Sequence, residues 1–175
     1  MQNARPDPVV LINGKTLRGS YNREDRASTI HMISAYASSN KLVLGQLKTE
    51  HKSNEIKAIP ELIKMLNIKG ALVTIDAMAC QTKISKAIVD QGGDYLLAVK
   101  SNQGKLRQSI EKAFASERAN MADSVSLETN HGRIESRQCY VADSAKLEGD
   151  FKRWKACNAL LWLRITALLK GKRLI

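Results

Sequence analysis

Acidic side chains are what this chain is short of: 17 Asp and Glu stand against 28 Lys and Arg, for a net charge of +11. With a pI near 9.7, that imbalance favours a polyanionic partner such as nucleic acid, against the plainer alternative of a merely basic soluble protein. Cysteine is also scarce. Cys80, Cys139 and Cys157 are far apart and form no CxxC pair, so neither a disulfide framework nor a zinc site is supported, and a reducing cytoplasm fits. Long apolar runs are missing: the longest, 156–169, is too short to span a bilayer and is broken by Asn158 and Arg164. The opening Met-Gln-Asn-Ala-Arg-Pro-Asp-Pro has no apolar signal core. No membrane span is expected, and no internal repeat or low-complexity segment is seen. What remains, 175 residues at 43% hydrophobic and 26% charged, suits a soluble domain able to bury a real core.

Two segments carry the chemical signal. Val9-Val10-Leu11-Ile12-Asn13-Gly14-Lys15 and Ala71-Leu72-Val73-Thr74-Ile75-Asp76-Ala77 are apolar, β-branched runs that each stop at one small polar residue. Buried strands read this way when they deliver a side chain to the edge of a sheet. Asp at both ends would suggest Mg²⁺-dependent phosphoryl chemistry. Position 13, however, is Asn.

The rest of the chain supplies a frame. Residues 30–37 and 41–48 read as strands joined by the Ser38-Ser39-Asn40 turn, a hairpin. Ser53-Asn54-Glu55 signals a helix start, and Ile56, Ile59, Leu62, Ile63 and Leu66 repeat on one helical face, with Pro60 in or near the first turn or else kinking the helix. A second helix is expected over 81–91, with Ile84, Ala87 and Ile88 inward and Gly92-Gly93 as its stop. A strand over 94–100 follows, then an amphipathic helix over 105–118 with Leu106, Ile110 and Phe114 at i, i+4, i+8. The order β-β-β-α-β-α-β-α predicts a mixed five-stranded α/β sheet with helices on both faces. In such a sheet the first and fourth strands can be neighbours, which brings positions 13 and 76 together.

Five ordered motifs now resemble one family: Ile12 to Ser20, Lys52 to Ile56, Ile75 to Met78 with Gln81, Leu97 to Lys100 with Asn102 and Gln103, and His131 to Arg137. Over about residues 8–154 the chain is similar to the H-repeat-associated, Rhs-element-linked insertion-sequence transposases of bacteria, which are DDE enzymes with an RNase H-like fold. The resemblance implies cut-and-join chemistry on DNA transposon ends, with acidic side chains holding Mg²⁺ ions that activate the attacking oxygen and stabilise the leaving one. It makes position 13 the first acid and Asp76 the second, so Asp76 and Asn13 are the candidate catalytic and metal residues. It also implies three segments: a partial RNase H-like core over 8–120, a partial β-rich insertion over 121–154, and a divergent tail over 155–175. The tail reads either as a short helix or strand with a basic end, or as the mark of a frameshifted remnant. The resemblance also expects a third acid on a helix beyond the β-rich insertion; its absence and the altered first acid point to a truncated, catalytically inactive member. The alternative is a non-catalytic DNA-binding protein that occupies transposon ends, as a homo-oligomer or paired with an intact transposase. Its place would be the cytoplasm, on the nucleoid when DNA-bound.

Rival readings stay open for single residues. Gly14-Lys15-Thr16 is not a P-loop, because the Gly needed five residues earlier is Val9. Lys15 and Arg18 read as DNA-phosphate contacts or as plain solvated charges. Lys100, Asn102 and Gln103 follow the fifth strand at the edge that holds Asp76, and read as contacts to DNA or to the site, or as turn chemistry. Glu135 is the other acid in a shared motif and so a candidate third ligand. Yet Arg133, Glu135 and Arg137 alternate along a strand, and a cross-paired polar face is the simpler account; Arg133 is also a candidate DNA contact. His31 and His51 have no ligand-spaced partners and read as structural or exposed.

Overall fold

The computed structural model describes residues 8–17, 20, 30–49, 55–115, 122–130, 133–147, 153–169 and 172–174. Arg18, His51, the Ser53-Asn54 helix-start signal and His131-Gly132 lie outside the described residues. The elements are β1 (Val9–Thr16), β2 (His31–Ala37), β3 (Leu42–Thr49), α1 (Glu55–Lys64), β4 (Leu72–Ile75), α2 (Thr82–Asp90), β5 (Asp94–Leu97), α3 (Gly104–Ala113), β6 (Ser124–Asn130), β7 (Arg133–Asp143), β8 (Ala159–Leu169) and β9 (Lys172–Leu174). Through α3 this is the order expected from the sequence. The chain divides into two compact units, one of Met1–Gln103 with Arg153–Lys155, the other of Gly104–Lys152 with Ala156–Ile175.

The first unit is built on a sheet of order β3-β2-β1-β4-β5. β1, β2 and β3 form an antiparallel meander, while β4 runs parallel to both β1 and β5. This is the mixed sheet of RNase H-like folds. Alternation along the strands buries Val10 and Ile12 of β1, Ile33 and Ala35 of β2, and Val73 and Ile75 of β4 in one cluster with Ile59, Leu62 and Ile63 of α1 and Ile84 and Ile88 of α2. Both helices of this unit therefore cover the same face. The reason is topological: the β3-to-β4 and β4-to-β5 connections advance in one direction along the sheet, and right-handed crossovers that do so fall on one side. The third helix, α3, belongs to the other unit.

Local chemistry explains the ends of these elements. Pro60 lies inside α1, where its missing N–H takes one rung from the helix ladder. α2 stops at Gly92, whose φ of 75° is a conformation that side chains with a Cβ avoid. There Gly92 N–H donates to Val89 O at 2.9 Å and Gly93 N–H to Ile88 O at 3.1 Å, satisfying the last helical carbonyls. β5 leaves the sheet at Leu97, three residues before the expected end. Within Arg153–Lys155, Tyr95 Oη donates to Lys155 O at 2.8 Å and Lys155 Nζ to Asp90 Oδ1 at 2.5 Å. The hydrogen bonds from Lys155 and then Lys86 hold the Asp90 carboxyl below the ordinary carboxylate range.

The second unit carries an antiparallel sheet of order β6-β7-β8-β9. β8 pairs with β7 along its whole length, from Asp143↔Ala159 to Arg133↔Leu169. The segment expected as a divergent tail is thus an interior strand, and of the two local readings the strand is the one adopted. Its outlook from sequence was ambiguous because an apolar run has no period to separate helix from strand. Phe114, just past α3, is fully buried with Tyr140, Ala142 and Leu160, and its ring meets Trp162 at 6.1 Å, tilted by 44°. Ile110 and Ala113 of α3 pack against the same cluster.

Candidate functional site

β1 and β4 are parallel neighbours in register from Val9↔Leu72 to Ile12↔Ile75. The next residue on each is Asn13 and Asp76, so the two stand side by side at the same edge of the sheet. Asp76 keeps an extended backbone. Since Ile12 and Ile75 point into the helix-covered core, Asn13 and Asp76 fall on the opposite face, where both are exposed. One Asp76 oxygen, Oδ1, accepts Met78 N–H at 3.2 Å and caps a short turn over Ala77–Ala79. Among the described residues nothing is bonded to the other oxygen.

Register extends this pair into a row. Asn13 lies opposite Ser34, and Ser34 opposite Gln46, whose Nε2 donates to Ser34 Oγ at 2.9 Å. A polar line therefore crosses the open face from β3 through β2 and β1 to Asp76. One rung farther, Lys48, Met32 and Lys15 are aligned in the same way, and both lysines are exposed. Lys48 was not singled out from sequence. Alternation gives its face, but its alignment with Lys15 needs the register of three strands.

Asp76, Ala77, Met78, Lys100, Ser101 and Asn102 line an open cleft of about 350 Å³. Lys100 brings a positive charge to the cleft that Asp76 enters. Asn102 and Gln103 are engaged with backbone: Asn102 Nδ2 donates to Ala77 O at 2.6 Å and Gln103 Nε2 to Cys80 O at 2.8 Å. These amides bind the Asp76 turn.

Other candidates belong to other elements. Glu135 lies on β7 in the second unit, directly opposite Glu128 of β6. Arg137 joins the two, at 2.6 Å to Glu135 and 2.5 Å to Glu128, which is the cross-paired polar face. Arg133 opens β7 opposite Asn130, its side chain outside those described. His31 Nδ1 is 2.9 Å from Thr16 Oγ1, a structural contact between β1 and β2.

Among the described residues no three His, Cys, Asp or Glu side chains gather closely enough to share a metal. Among those residues the donor set at the edge is one carboxylate, Asp76, and one neutral amide oxygen, Asn13. Mg²⁺ keeps most of its water shell and is commonly held by one or two carboxylates, so these residues fit one largely hydrated ion. They do not fit a pair of ions bridged by carboxylates.

A Transposase DDE domain family model matches residues 4–160. The chain belongs to the DDE transposase-domain family. It is similar to two H repeat-associated proteins of Escherichia coli K12: YhhI, 47% identical over 156 residues, and YbfD, 49% identical over 138. Those alignments cover 87% of this chain and 41% of YhhI, and 77% of this chain and 54% of YbfD. The DDE chain described here thus spans about half or less of these relatives' length. A protein from the dhlA 3′ region of Xanthobacter autotrophicus is 30% identical over 165 residues, 93% of this chain and 56% of that one. Among solved structures, a piggyBac transposase synaptic complex with hairpin DNA aligns at TM-score 0.45 and 11% identity, over 91% of this DDE chain and 33% of the other. Among the described residues no helix is long and apolar enough to cross a membrane.

Proposed function

We propose that this chain is a DDE-family domain that binds DNA ends and does not itself catalyse strand transfer. One observation carries the reading: the position beside Asp76, where the family resemblance implies an Asp, is Asn13. An amide oxygen can ligate a cation but brings no charge. A Mg²⁺ ion held by Asp76 and Asn13 would supply electrophilic stabilisation of a phosphoryl oxygen. One carboxylate falls short of the charge needed to hold two such ions. Loss of one contact that stabilises charge in the transition state costs on the order of a hundredfold or more in rate.

DNA binding is supported by the +11 charge and by the exposed Lys15, Lys48 and Lys100 on the edge and face that carry Asn13 and Asp76. The chain would then occupy transposon ends alone, as a homo-oligomer, or with an intact transposase. The test is a strand-cleavage assay on DNA ends with Mg²⁺ or Mn²⁺, run beside a gel-shift titration. DNA binding without cleavage is expected. Cleavage clearly above the metal-free background by the unaltered chain would overturn the reading.

A further inference from the structure

We propose that Asn102 and Gln103 are positioning residues, a two-point amide clamp that fixes the turn carrying Asp76 and so sets where its carboxylate can meet a divalent cation. The proposal rests on the reading of Asp76 as a cation-binding side chain. The turn is held weakly by its own backbone: Ala79 N–H reaches Asp76 O at 3.2 Å and Cys80 N–H reaches Ala77 O at 3.3 Å. Its flanks are nonetheless sunk in the protein, with Ala77, Ala79 and Cys80 at 6%, 0% and 1% exposure. Buried carbonyls of this kind need donors, and the two best-placed donors come from 23 to 25 residues away, Asn102 Nδ2 at 2.6 Å and Gln103 Nε2 at 2.8 Å.

The donor segment is itself closed, since Gln103 N–H bonds Lys100 O at 3.0 Å. The clamp therefore ties the end of β4 to the segment after β5, across the cleft that Asp76 and Lys100 both line. A role for the same two amide groups in reading DNA would take Asn102 from Ala77 O and Gln103 from Cys80 O, so positioning is the use the geometry supports. The chemistry is specific to an N–H donor. Asp and Glu match Asn and Gln in shape but, when ionised, only accept, and would press a carboxylate on a carbonyl oxygen.

The test uses the full chain with Mn²⁺ alone as the probe, titrated by the loss of its free-ion EPR signal, beside hydrogen exchange of the backbone amides. In Asn102→Asp, in Gln103→Glu and in the double variant, exchange at Ala79 and Cys80 should quicken about tenfold or more, the scale of one or two lost hydrogen bonds. Mn²⁺ binding should weaken by a similar factor while the amides of β1 and β4 keep their protection. Asp76→Asn should behave oppositely, with Mn²⁺ binding lost and exchange at Cys80 unchanged. Unaltered exchange at both amides in the folded single variants overturns the clamp. A chain that binds no Mn²⁺ at all instead overturns the reading of Asp76, and the exchange rates still decide the clamp.

Discussion

Two residues after Ile12 decide what the edge of this sheet can do. Asn13 removes a charge, and the residue next to it is confined by close packing. A Cβ on Gly14 would come within 2.3 Å of Glu55 Oε2, and Glu55 is 3% exposed at the start of α1. Gly14→Ala should therefore destabilise the chain by about 1–3 kcal/mol, measured by urea unfolding. The effect should shrink when Glu55→Ala is added, because the second change removes the obstructing carboxylate. At position 13 itself, Asn13→Asp restores a carboxylate beside Asp76 and should tighten Mn²⁺ binding about tenfold through added charge. Strand cleavage by that variant should stay at background, since among the described residues the site then holds two acids. Cleavage at ordinary rates would mean that another acid of this chain completes the set.

At the scale of elements, α1 packs against the sheet that carries the site. Leu62 and Ile63 are fully buried between it and the strands, so Leu62→Ala should cost about 2–5 kcal/mol and be read directly in the unfolding midpoint. The contact between Arg153–Lys155 and α2 behaves differently. Asp90 titrates below its unfolded value because Lys155 and Lys86 bond its ionised form. Its contribution is thus complete above the ordinary carboxylate range of about 3.9 and is lost as pH falls through the lowered value. Lys155→Gln should flatten that acid dependence and leave stability between about pH 5 and 8 almost unchanged, because exposed ion pairs contribute little. A pair of pH-dependent thermal melts checks both statements.

For the molecule as a whole, charge and register together define the DNA-binding prediction. Each phosphate neutralised contributes about 0.9 to the slope of log affinity against log salt for duplex DNA. Replacing Lys15 and Lys48 with Ala should lower that slope by about 1.8, measured by fluorescence anisotropy over a salt series. A slope that does not change would remove this face from the interface. The element order through α3, the inward residues of both helices on the sheet and the Gly92 stop were legible in the sequence, because periodicity and turn chemistry are local properties. So was the chance that positions 13 and 76 stand together, since the order allows the first and fourth strands to be neighbours, as they are. What only the tertiary structure decided depends on contacts distant in sequence. The shared face of α1 and α2 follows from the direction of two successive crossovers. The Lys15–Lys48 rung and the polar row to Asp76 follow from the register of separate strands. The amides of Asn102 and Gln103 reach Ala77 O and Cys80 O because pairing of β4 with β5 brings together segments 23 to 25 residues apart. The segment from Ala159 becomes an interior strand because β7 offers it a full ladder of partners, and a sequence of apolar residues cannot by itself say whether such a partner exists.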